Sequence, residues 1–102
     1  MDHRVLEIRY DTAAIPGGNP HDPADPHLLR FRDMAMQQIG AALGDDGLGA
    51  ELGAVVEQNG VRLKFMVMDF DAAEARLGAA LGRSGLGKPV EILRYWDDKA
   101  LI

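Results

Sequence analysis

Apolar and polar positions alternate over residues 4–10. Leu6, Ile8 and Tyr10 fall on one side of an extended chain, and Val5, Glu7 and Arg9 on the other. That period of two predicts a half-buried strand. From about Pro26 to Leu43 the period changes: Leu28, Phe31, Ala35, Ile39 and Ala42 recur every three to four residues, as on one face of a helix. Asp25 suits its N-cap, Pro26 its first position, and Gly44 its end.

Two more alternating segments, 50–58 and 61–69, flank Asn59-Gly60, a strong signal for a two-residue hairpin turn. A turn centred there pairs Val56 with Leu63, Ala54 with Phe65 and Leu52 with Val67 on one face. On the other face it pairs Glu57 with Arg62, which carry opposite charges. A slip of one residue would mix the two faces. Asp71-Ala72-Ala73-Glu74 fits the capping-box pattern. It opens a second helix to about Leu81 that buries Ala73, Leu77, Ala80 and Leu81, with Gly82 at its end. The last strand is expected at 90–96.

The order strand, helix, strand, strand, helix, strand divides into two β-α-β halves. An internal repeat supports the division: 39–50 (IGAALGDDGLGA) and 77–88 (LGAALGRSGLGK) agree at eight of twelve positions, 38 residues apart. The expected fold is therefore one α+β domain over 1–102. Its expected architecture is a ferredoxin-like plait, a four-stranded antiparallel sheet with both helices on one face.

Composition narrows the chemistry. The chain has 102 residues, 47% hydrophobic and 26% charged, within the ordinary range of a globular domain. The absence of cysteine excludes disulfides, thiolate metal sites, a cysteine nucleophile and thiol redox chemistry. The amino-terminal stretch MDHRVLEIRY has charges where a signal peptide carries an apolar run, and no apolar stretch approaches the roughly 18 residues of a membrane span. A cytoplasmic protein with no membrane partner is the expectation. The net charge of −5 argues against nucleic acid as a partner, and the acidity serves solubility.

Gly82 to Lys88 matches the spacing of a phosphate-binding loop, yet it closes a helix instead of opening one, and Pro89 stands where a magnesium-binding hydroxyl belongs. It is read as a helix end and turn. Ser84, the one serine, misses the nucleophile elbow because Leu86 replaces the second glycine. The acidic pairs Asp45-Asp46, Asp69 with Asp71, and Asp97-Asp98 lie at turns and element ends, where capping and solvation are their ordinary work. Asp69 stands out because the alternation places it on the apolar side.

Residues 12–27 hold four of the five prolines and two glycines, a long irregular loop. They also hold His21, Asp22, Asp25 and His27, with Asp11 at the entrance. Imidazoles and carboxylates suit zinc, manganese or iron, so His21, Asp25 and His27 are candidate ligands for a divalent metal, the one cofactor considered. The alternative is that the aspartates cap turns before Pro23 and Pro26.

The sheet face opposite the helices must meet water, a ligand or a partner. It is expected to carry Arg9, Lys64, Met66, Met68, Leu93 and Tyr95 among others. Methionine suits adaptable contact surfaces, and contiguous apolar side chains mark interaction sites. The functional expectation is a non-enzymatic binding or regulatory module that forms a homodimer through this face. The alternatives are a metal-assisted or acid–base enzyme using the 12–27 loop, and an inhibitor or immunity-type partner of another protein.

Overall fold

The computed structural model describes residues 3–97. Asp98 of the last acidic pair and the apolar Leu101-Ile102 end lie outside the described residues. The elements in order are β1 (His3–Asp11), one 3-10 turn (Thr12–Ala14), α1 (Pro26–Asp45), β2 (Gly49–Glu57), β3 (Gly60–Val67), α2 (Phe70–Ser84) and β4 (Glu91–Asp97). Every strand pair is antiparallel, and the strand order is β2-β3-β1-β4. The expected α+β class holds, with one four-stranded antiparallel sheet and two helices. β1 and β3 are the inner strands, which explains why they carry the strictest alternation.

Leu6, Ile8 and Tyr10 of β1 and Leu63, Phe65 and Val67 of β3 form one buried cluster with Leu28, Phe31 and Ile39 of α1 and Ala73 and Leu77 of α2. Both helices therefore cover the same face of the sheet. On α1, Met36 and Leu43 are buried while Ala42 is only partly so. Leu43 lies four residues beyond Ile39 and continues the stripe more directly than Ala42.

Asp25 caps α1 as expected, its carboxylate accepting the amides of His27 and Leu28 at 3.0 and 3.2 Å. The other end differs from expectation. The helix runs past Gly44 to Asp45, and Gly47 takes the left-handed φ of 66°. The Leu48 amide then donates to Leu43 O at 2.8 Å and the Gly47 amide to Gly44 O at 3.0 Å. This double bond pattern closes a helix while turning the next apolar side chain, Leu48, back onto the core. The second repeat copy matches it in backbone and burial: α2 runs past the expected Gly82 to Ser84, Gly85 takes the left-handed φ of 72°, and Leu86 is buried.

The hairpin pairs two residues away from expectation. Glu57 faces Gly60, Val56 faces Val61 and Ala54 faces Leu63. The central turn residues are therefore Gln58-Asn59, not Asn59-Gly60. Asparagine tolerates the left-handed region, and Asn59 occupies it at φ 71°. That frees Gly60 to pair with both Glu57 and Asp11. Because the shift is even, β3 keeps its faces, with Leu63, Phe65 and Val67 inward. A bulge between Glu51 and Gly53 then breaks the expected Leu52–Val67 pair and sets Glu51 opposite Phe65. Glu51 lies along α1, where a Cβ on Gly40 would stand 2.5 Å from its carboxylate oxygen.

The capping box at Asp71 is also corrected. The N-cap of α2 is Asp69, whose carboxylate accepts the Ala72 amide at 2.8 Å. β3 ends at Val67, so Asp69 is already outside the sheet in extended backbone, free to cap, and is exposed rather than inward-facing. Asp71 and Glu74 instead hold Arg94 of β4, at 3.0 and 2.5 Å. Phe70 meets Trp96 edge-on nearby.

Candidate interaction face of the sheet

Strand register builds the uncovered face in rows. Val5 lies between Met66 and Tyr95, Glu7 between Lys64 and Leu93, and Arg9 between Arg62 and Glu91. β2 extends these rows with Ala50, Gly53 and Val55. The rows grade from apolar to charged along the strands. Met66, Leu93, Tyr95, Lys64 and Arg9 come together as expected, all half-buried. Val55 is 43% exposed. Met68 sits past the end of β3, 67% exposed, its amide bonded to Leu48 O at 2.9 Å.

Two residues of this face depart from what alternation suggests. Val5 is fully buried and Glu7 is only 2% exposed, although Val5 is no part of the main core. Their cover consists of neighbouring side chains on the same face. The Glu7 carboxylate is matched by two donors, Arg9 Nε at 2.6 Å and the Tyr95 hydroxyl at 3.0 Å. Burial alone would raise its pKa. The bonds from Arg9 and Tyr95 and the charges of Arg9 and Arg62 outweigh burial, and Glu7 is held below the usual carboxylate range. Burial, with Glu7 beside it, pushes the Tyr95 phenol up to about 12.

Arg9 reaches on to Glu91 at 3.4 Å, and Arg62 pairs with Glu57 across the hairpin. The Arg62 Nε is buried without a hydrogen-bond partner. The face thus presents fixed charges of both signs around a closed-over apolar row. A carboxylate bound twice and held ionised is poorly placed to move protons at neutral pH. The arrangement suits recognition by shape and charge.

The loop residues are placed differently. Asp25 is occupied as the α1 cap, Asp22 accepts the Ala24 amide at 3.0 Å, and Asp11 the Ala13 amide at 2.9 Å. His21 and His27 are exposed, and the His27 ring lies against Gly17. Among the described residues no three His, Asp or Glu side chains converge to hold a metal ion. The loop itself is fixed to the domain: the Thr12 hydroxyl and the Asn59 amide both donate to Pro20 O, at 3.2 and 3.3 Å, and Ile15 is buried. A Cβ on Gly18 would stand 2.4 Å from Leu28 Cδ2, so the chain passes close over α1 there.

Among the described residues no helix is long and apolar enough to cross a membrane. No protein-family model, no curated protein and no solved structure matches the chain.

Proposed function

We propose that this protein is a non-catalytic binding module that pairs with a second copy of itself through the uncovered face of its sheet. We infer that its β2-β3-β1-β4 order and two β-α-β units make it a ferredoxin-like plait, a fold in which that face is free to meet another molecule. The observation that carries the reading is the composition of the face. Met66, Leu93, Tyr95 and Val55 stand where a purely solvated sheet would carry polar side chains.

Charge supports a second copy as the occupant. Arg9, Arg62 and Lys64 share the face with Glu57 and Glu91, so both signs of charge are available to a two-fold contact. Four strands about 4.8 Å apart and seven or more residues long give a projected face on the order of 500 Å2. That is below the roughly 800 Å2 per partner of a standard interface and fits a weak dimer.

Sedimentation equilibrium of the full chain from 1 to 100 μM (an order-of-magnitude range spanning weak dimers) tests this. The expected result is a mass tending to twice 11.1 kDa as concentration rises. A mass fixed at that of one chain over the whole range rejects the reading.

A further inference from the structure

A cavity of about 380 Å3 lies on the helical side of the molecule, between the proline-rich loop, the start of α1 and residues 85–88. Its floor is apolar and fixed: Tyr10, Ile15, Phe31 and Leu86 are buried. The Tyr10 and Phe31 rings meet edge-to-face with centroids 5.0 Å apart. The Tyr10 hydroxyl bonds Gly87 O at 3.3 Å. Gly85 and Gly87, at φ 72° and 80°, let the far wall turn back over this floor. The volume falls at the lower end of the range for small-molecule sites.

The lining contains His27, Arg30 and Lys88 and no acidic residue. In a chain of net charge −5 that is a local reversal of sign. Arg30 differs from every other described arginine. Arg9, Arg32, Arg62, Arg76 and Arg94 have acidic partners, Arg4 stacks on Trp96, and Arg83 bonds a carbonyl. Among the described residues Arg30 has no partner, and neither has Lys88. Two unpaired cations thus share one apolar cavity, with Met34 exposed beside them.

We propose that this cavity binds a small organic acid, its apolar body on Tyr10, Phe31 and Leu86 and its carboxylate between Arg30 and Lys88. Guanidinium suits a carboxylate because its planar donors match both oxygens. The apolar floor gives the tail a reason to leave water. Neither element alone would select an amphipathic anion, and the two are joined here.

Isothermal titration of the full chain with octanoate, octylammonium and octanol tests this. Octanoate is expected to bind one per chain with a dissociation constant of roughly 0.1–1 mM, a magnitude set by its size, and more tightly than the other two. Arg30→Gln and Lys88→Gln are each expected to weaken it about fivefold or more. Ala14→Phe, at an exposed position on the lining, is expected to abolish binding by filling the space while the circular dichroism spectrum stays unchanged. No saturable octanoate binding, octylammonium binding as tightly as octanoate, or wild-type affinity in both charge variants would each overturn the proposal.

Discussion

Replacing Glu7 by glutamine removes a charge from the middle of the uncovered face while keeping the side chain's size. Glu7 is 2% exposed and accepts from Arg9 Nε and from the Tyr95 hydroxyl. A glutamine has one carbonyl for those two donors, and its own amide hydrogens face Arg9. Each charge-assisted bond contributes about 1.5–3 kcal/mol. Two effects reduce the net loss. The buried carboxylate no longer has to be kept out of water, and Arg9, 39% exposed, regains water. The expected destabilisation at pH 7 is about 1–3 kcal/mol, or roughly 5–15 °C in Tm for a domain of this size. The sign with pH follows from the shift. The folded-state pKa of Glu7 lies below the ordinary value, so its contribution is present above the unfolded value near about 4.3 and is lost as pH falls through the folded value. Thermal unfolding of wild type and Glu7→Gln at one protein concentration, at pH 7 and again near pH 3, checks both parts. The difference must shrink at the lower pH. Equal stability at pH 7, or the same difference at both, would refute the reasoning.

Three further outcomes follow from the same geometry. The chain has two tyrosines, and burial raises both Tyr10 and Tyr95 to about 12. Absorbance at the phenolate band should therefore show no native-state step near pH 10, and stability should fall as pH rises from about 10 toward 12, since only the unfolded phenols ionise readily there. Asp69→Ala should cost about 0.5–2 kcal/mol in urea unfolding because Asp69 caps α2. Asp71→Ala, which loses only an exposed contact to Arg94, should cost about 1 kcal/mol or less. Gly78→Ala, in the middle of α2 with open space around its added carbon, should raise stability by about 0.5–1 kcal/mol, whereas Gly85→Ala should lower it because of the left-handed φ at the helix end.

The elements and their inward faces were legible because local periodicity reports burial directly. Leu6, Ile8 and Tyr10, or Leu63, Phe65 and Val67, need no knowledge of the rest of the chain. The hairpin register was harder: Gln58-Asn59 and Asn59-Gly60 offer competing turns, and only the pairing of Gly60 with both neighbours, together with the bulge near Leu52, separates them. The cap of α2 depended on where β3 stops, a tertiary fact that alternation through Met68 and Asp69 concealed. On the uncovered face, the membership of Arg9, Lys64, Met66, Leu93 and Tyr95 was readable from parity. The burial of Glu7 was not, because it requires β1 to be an inner strand with Leu93 on one side, Lys64 on the other and the Tyr95 hydroxyl reaching over from the next row. The apolar cavity was hidden for the same reason. Arg30 and Lys88 are 58 residues apart in the chain, and the loop between strand and helix was readable as irregular but not as a wall.

Spin-label distances measure directly which side of the molecule meets its copy, because the chain has no native cysteine. Val55→Cys places one label on the uncovered face, and Gln38→Cys places one on the exposed side of α1. Sheets stacked about 10 Å apart put the Val55 labels of two copies within about 30 Å. One copy is 18 Å across its thinnest dimension, so the Gln38 labels on the outer surfaces should stand on the order of 40 Å or more apart. A short Val55 distance with a long Gln38 distance is the predicted result; a short distance at Gln38, or no intermolecular coupling at Val55, would contradict the account.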